Sequence, residues 1–202
     1  MKVVGFCGYS GSGKTTLVEQ LVVRLRLAGH RVSVVKHAHH SFDIDHPGKD
    51  SHRHRAAGAY EVVIASNRRL AKIREYDVEA EPDVHRLLAE LSEPDWVLVE
   101  GFKRADLPKI EIWRAATGQR VQYPNDPFVM AIATDSPQAL PVPTALPLLD
   151  LNDADAVTEF LLRHAERHHY RSPYDADNEA AFADDEPGAG ARAAPRGHDA
   201  PR

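Results

Sequence analysis

The chain carries a single cysteine, Cys7, among 202 residues. One thiol excludes an intramolecular disulfide framework. Cys7 sits in a short apolar run and reads as a small buried hydrophobe rather than a reactive thiol. No apolar stretch approaches the roughly 20 residues that a membrane helix requires. No secretory leader pattern is present either: Met1-Lys2 runs directly into the first apolar segment, so the expected compartment is the cytoplasm, with no membrane contact. A basic excess is missing as well. The net charge is −5, and from Ser172 onward seven acids and three arginines account for −4 of it, leaving about −1 on the body. Such a balance argues against a nucleic-acid partner. That tail also has almost no large apolar side chains and is rich in Ala, Asp, Pro and Gly. It cannot bury enough surface to offset ordering entropy, so the expected organisation is one domain over 1–170 and a disordered tail over 171–202. No internal repeat is visible.

What is present is concentrated near the N-terminus. GYSGSGKTT, Gly8 to Thr16, lies between the apolar run Val3-Val4-Gly5-Phe6-Cys7 and a segment in which Leu17, Leu21, Val22 and Leu25 recur at helical spacing, closed by Gly29. The stretch is therefore a strand-to-helix connection with the spacing Gly8-x4-Gly13-Lys14-Thr15, the P-loop pattern. A polyphosphate needs many donors converging on it. Glycines let consecutive backbone N–H groups turn inward, and the helix N-terminus adds unpaired N–H groups with partial positive charge. Gly11, Ser12, Gly13, Lys14, Thr15 and Thr16 are the expected phosphate contacts. Lys14 reaches the β and γ phosphates, and the Thr15 hydroxyl is placed to ligate Mg²⁺.

Beyond it, Arg31–Val35 reads as a strand. Residues 36–58, KHAHHSFDIDHPGKDSHRHRAAG, hold half of the twelve histidines, with a turn at His46-Pro47-Gly48 and a helix capped by Asp50 or Ser51 and ended by Gly58. Val62–Ala65 and Leu70–Ile73 read as strands. Residues 83–91 read as a helix, Trp96–Val99 as a buried strand, and Ile110–Trp113 as a half-exposed or edge strand, because apolar residues alternate with Glu111. Phe128–Ala133 and Leu148-Leu149 complete the strands, and Asn152 or Asp153 caps a last helix. Strands alternating with helices imply an α/β fold, a mainly parallel sheet with helices on both faces. Ligands in such sheets bind beyond the strand carboxyl ends, which gathers 8–16, 36–50, 100–103 and 134–135 around one crevice.

Three constellations follow from that rule. Glu100 ends an apolar strand where a P-loop protein places an acid near Mg²⁺ or the attacking water; a strand-capping carboxylate is the alternative. Lys103 lies three residues on, facing phosphate or solvent, with Gly101 between. Asp135, after Thr134, either accepts two N–H groups from guanine or forms a turn before Ser136-Pro137. The histidine spacing fits no closed zinc set. Lys36, His37, Lys49, Arg53 and Arg55 suit a second phosphate-bearing molecule better, or a solvated loop. His39 and His40 would serve a nucleotide-gated metallochaperone. A small-molecule kinase is the other rival and would need a water-excluding lid, for which no arginine-rich segment is evident.

GYSGSGKTTL at 8–17, KHAHHSFDIDHPGKDSHRHRAAGA at 36–59, VLVEGFK at 97–103 and PKIEIWR at 108–114 together resemble the molybdopterin-guanine dinucleotide biosynthesis protein B family. The first motif is shared with many NTPases; the second is the specific one, and the likeness spans about residues 2–165. The resemblance implies a P-loop NTPase fold, GTP with Mg²⁺ as ligand, a homodimer, and weak intrinsic GTPase activity. It implies assistance to a guanylyltransferase that joins GMP to molybdopterin in molybdenum cofactor biosynthesis, with direct molybdopterin binding left open. Lys14 and Glu100 would act at the γ-phosphate, Thr15, Glu100 and Asp50 would lie toward the metal, and Gly101, Lys103 and Asp135 would contact the nucleotide. The Asn-Lys-x-Asp guanine signature is absent, as are an evident arginine finger and a water-positioning glutamine, so turnover is expected to be slow.

Overall fold

In the computed structural model, which describes residues 1–38, 42–78 and 80–174, eight strands and four α-helices follow one another along the chain. They are β1 (Lys2–Cys7), α1 (Lys14–Leu27), β2 (Val32–Lys36), α2 (Asp50–Ala56), β3 (Glu61–Ala65), β4 (Leu70–Arg74), α3 (Val84–Ala89), β5 (Trp96–Glu100), β6 (Lys109–Trp113), β7 (Val129–Thr134), β8 (Leu148–Asp150) and α4 (Ala154–Arg163). Six strands form one sheet in the order β2-β5-β1-β6-β7-β8, every neighbouring pair parallel. Residues Met1–Tyr170 form one compact unit. The tail expected over 171–202 falls outside the described residues beyond Tyr174.

Alternation along the strands assigns the two faces of the sheet. Val4 and Phe6 of β1, with Trp96 and Leu98 of β5, pack under α1 and α4 through Leu17, Leu21, Leu25, Val157 and Leu161. Val3, Val97 and Val99 point the other way and meet Val84 and Leu88 of α3 and Phe102 and Leu107 of the following loop. Cys7, Ile132, Val129 and Tyr123 fill a smaller cluster beneath the 121–146 region. Cys7 is buried as expected, and burial pushes its thiol up to about 12. Two helices are capped by side chains: Asp83 accepts the His85 N–H at 2.8 Å, and Asp153 accepts that of Ala156 at 2.9 Å. The cap expected for α2 from Asp50 or Ser51 is not made: Lys49 holds the cap position without a side-chain hydrogen bond, and Ser51 Oγ donates to Asp45 instead. Among the described residues no helix is long and apolar enough to cross a membrane.

Two elements differ from their sequence reading. Strand β6 is central, flanked by β1 and β7, and all five of its residues are buried. Its charged residues mimic an edge pattern but are satisfied from elsewhere. The Lys109 ammonium donates to the carbonyls of Lys103 and Ala105 and to Asp126, at 3.1, 2.6 and 2.8 Å. The Glu111 carboxylate accepts the N–H groups of Gln122 and Tyr123, both at 2.8 Å. Burial pushes the Glu111 carboxyl upward while those two donors pull it back. Strands β3 and β4 stand outside the six-stranded sheet as an antiparallel pair of their own.

Candidate functional site

Strand register places the site. Lys36 of β2 pairs with Glu100 of β5, and Glu100 with Phe6 of β1. On the other side Trp113 pairs with Thr134, and Thr134 with Asp150. The carboxyl ends of all six strands thus stand in one row. The segments that follow them, 37–38, 101–103, 8–13, 114, 135–136 and 151–153, rise from the same edge.

The glycine-rich loop occupies the middle of that row. Gly8 adopts φ +139°, and a Cβ there would come within 2.3 Å of the Ile112 carbonyl oxygen, so only glycine lets the loop leave β1 beside β6. Helix α1 opens at Lys14 with no side-chain cap and no acid in its first turn. Its leading N–H groups therefore point outward without a competing carboxylate. Ser12 is buried, yet its hydroxyl oxygen has no hydrogen-bond partner among the described residues. An orphaned buried hydroxyl, uncapped amides and a curled loop are what an anion of several oxygens satisfies.

The side chains around the loop are already assembled. Thr15 Oγ1 donates to Glu100 Oε1 at 2.6 Å, and Lys36 Nζ lies 3.4 Å from the same oxygen. Lys14 Nζ folds back onto the Tyr9 carbonyl at 2.7 Å. Burial lowers the Lys14 ammonium from the usual lysine range, with Glu100 opposing and Lys103 reinforcing that shift. Lys103 Nζ stands 4.2 Å above the Tyr9 ring. Gly101 takes φ +94°, where a Cβ would lie 2.9 Å from that of His37. The His37 N–H donates to the Glu100 carbonyl at 2.9 Å, and its ring packs on Phe102 at 4.9 Å. Lys14, Thr15, Glu100 and Lys103 are therefore brought together around one mouth. A hydroxyl and a carboxylate converging beside a glycine-rich loop are oxygen donors of the kind Mg²⁺ takes.

Other expected residues have different surroundings. Asp50 opens α2, is largely exposed and pairs with Arg53 at 3.5 Å. Arg55, assigned from sequence to an anion-facing surface, turns inward to hold Asp43, Asp45 and Glu75 at 2.9, 3.3 and 2.6 Å. His39 and His40 lie outside the described residues; among those described, no group of three His, Cys, Asp or Glu side chains is spaced to hold a metal. Asp135 accepts from Ser136 Oγ at 2.9 Å and is paired with Arg114.

Arg114 is the participant that sequence reading passed over. It follows β6 directly and lies inside the PKIEIWR motif, so its position after a strand next to β1 was the available signal. Its Nε donates to the Ser12 carbonyl at 3.1 Å, one guanidinium nitrogen pairs with Asp135, and the other is 3.4 Å from Asn152 Oδ1.

Comparison with known proteins agrees with this fold. The MobB family profile, described as molybdopterin guanine dinucleotide synthesis protein B, matches residues 3–135. A protein of Escherichia coli named molybdopterin-guanine dinucleotide biosynthesis adapter protein is 39% identical over 163 residues, 79% of this chain and 91% of that one. Its namesake in Haemophilus influenzae is 38% identical over 162 residues, 79% and 86% of the two chains. The crystal structure of a MobB homolog from Bacillus stearothermophilus superposes with a TM-score of 0.59 at 27% identity, covering 82% of this chain and 99% of that one. Matched in profile, in sequence over most of both lengths, and in fold, the chain belongs to the MobB family.

Proposed function

We propose that this protein is a GTP-binding adapter with slow GTPase activity, serving the guanylyltransferase that attaches GMP to molybdopterin. The observation that carries the reading is the Thr15–Glu100 contact of 2.6 Å at the mouth of an uncapped, glycine-lined helix start. The amides of 11–16 and the Lys14 ammonium hold the phosphates. Thr15 and Glu100 are the residues that would hold Mg²⁺, which when bound neutralises charge on the β and γ phosphates. Lys36 and Lys103 flank the mouth and face the same charge. Asp135, directly after β7, takes the base. The name of the relatives, adapter, supports a protein whose nucleotide state is read by a partner rather than a fast hydrolase.

The same reading makes the protein a homodimer. Strands β3 and β4 are a two-stranded unit of the kind that is marginal in water without cover. Their apolar residues Val63, Ile64 and Leu70, with Tyr60 and Tyr76 beside them, face solvent. Val63 and Leu70 share one face of the pair, and a second copy is the occupant that face fits, since the same apolar patch is then covered on both chains.

Competition binding of GTP against ATP, each with Mg²⁺, tests the nucleotide assignment. GTP is expected to win in the parent chain, and Lys14→Ala is expected to weaken both by on the order of a hundredfold or more. Equal affinity for the two nucleotides removes the guanine assignment. Hydrolysis at many turnovers per second by the isolated protein overturns the adapter reading.

A further inference from the structure

We infer that Arg114 is the positioning residue that couples base choice to phosphate grip, an inference that rests on the GTP reading above. The guanidinium presents a rigid fork of donors. Here the fork ties together three loops far apart in sequence: Nε to the carbonyl of Ser12 in the phosphate loop, one terminal nitrogen to Asp135 after β7, the other toward Asn152 after β8. Strand register makes this reach feasible. Cys7 pairs with Glu111, so β6 runs two residues past the end of β1 and delivers Arg114 over the loop. A Cβ on Gly13 would lie 3.5 Å from both Nε and Nη2 of Arg114, which shows how closely the guanidinium lies on the start of α1.

The consequence falls on Asp135. One of its oxygens accepts from Ser136 Oγ and the other from Arg114, so the plane of the carboxylate is set from two sides. A carboxylate offers about four accepting positions, and two remain, one on each oxygen. That is the number needed by the adjacent N1–H and N2–H donors of guanine. Adenine presents an acceptor, N1, where guanine has a donor, and meets a carboxylate oxygen with the wrong sign. Nothing in an Asn-Lys-x-Asp pattern is available to orient this acid. The orientation comes from β6, through a side chain that also holds the phosphate loop by its own backbone.

The test measures dissociation constants for Mg²⁺–GTP and Mg²⁺–ATP on the full chain and on Arg114→Ala, Asp135→Ala and the double variant, with thermal melts confirming that each is folded. Arg114→Ala is expected to lower the GTP-over-ATP ratio by about tenfold or more, and the double variant to lie within about threefold of Asp135→Ala, because the two residues act through one contact. Arg114→Lys keeps the charge, cannot span three acceptors, and is expected to lose preference as well; it also serves if the alanine variant fails to fold. Equal weakening of GTP and ATP in the Arg114 variants, with the ratio intact, overturns the inference alone and leaves a residue that only props the loop. A parent protein without preference overturns the guanine reading and this inference together.

Discussion

The six-stranded sheet and the β3–β4 pair are built from similar apolar residues and are stabilised in different ways. In β5, β1 and β6 nearly every side chain is buried, and the charged members Lys109, Glu111 and Glu100 find partners at hydrogen-bond or ion-pair distance. In the hairpin, Leu70 is 68% exposed and Val63 55%. Its ties to the body include ion pairs: Lys72 and Arg74 to Glu90 at 2.6 and 2.9 Å, and Arg55 to Glu75 at 2.6 Å. Partly exposed pairs of this kind contribute little each and are screened by salt. The sheet can therefore hold a ligand site rigid by itself, whereas the hairpin depends on what it meets.

The sharpest way to break the contrast is Lys109→Met. The change keeps the aliphatic stem but leaves Asp126 and the carbonyls of Lys103 and Ala105 without their donor. Unfolding by urea is expected to show a loss of about 3–5 kcal/mol, the range for removing one partner of a buried pair. Because Lys103 and Ala105 follow Glu100, nucleotide affinity should fall with it. Retained stability would mean that the sheet interior is less dependent on its polar partners than the burial of β6 indicates.

The next effect is pH dependent. His168 is buried against Trp96 with neither ring nitrogen hydrogen-bonded among the described residues, and burial pushes its imidazole from 6.5 down to about 4, with His164 and Arg167 acting in the same direction. Between those values the unfolded chain binds a proton that the folded chain refuses. Stability contributed by this group is complete above 6.5 and is lost as pH falls toward 4, by on the order of 3 kcal/mol. His168→Phe should flatten that part of the profile relative to the parent; parallel profiles would refute the assignment.

The smallest effect on folding belongs to the hairpin. Leu70→Glu or Val63→Glu should change the unfolding free energy of the dilute monomer by about 0.5 kcal/mol or less, as exposed substitutions do. Sedimentation velocity should nonetheless shift from dimer to monomer. A large loss of stability in dilute monomer would mean the pair is braced from within the chain. An unchanged dimer would place the interface elsewhere.

The glycine-rich loop, the strand before it and the helix after it were legible because each is a local decision. Gly8, Gly11 and Gly13 all take positive φ, and Leu17, Val18, Leu21 and Leu25 repeat at helical spacing whatever surrounds them. Glu100 was legible for the same reason, as the first polar residue after an apolar run. Strand β6 was misread because alternation reports chemistry, not neighbours: Lys109 and Glu111 look solvent-facing until Asp126 and the amides of Gln122 and Tyr123 arrive from another part of the chain.

Residue order and local sterics thus settle where the glycine-rich loop curls and which strands are apolar enough to be covered. They cannot settle who stands beside whom. That Arg114 reaches Ser12 and Asp135, 102 and 21 residues away, follows only once β6 is inserted between β1 and β7 in its particular register. Pairing of that kind is chosen by the burial of whole faces, a property of the assembled sheet that no stretch of a few residues contains.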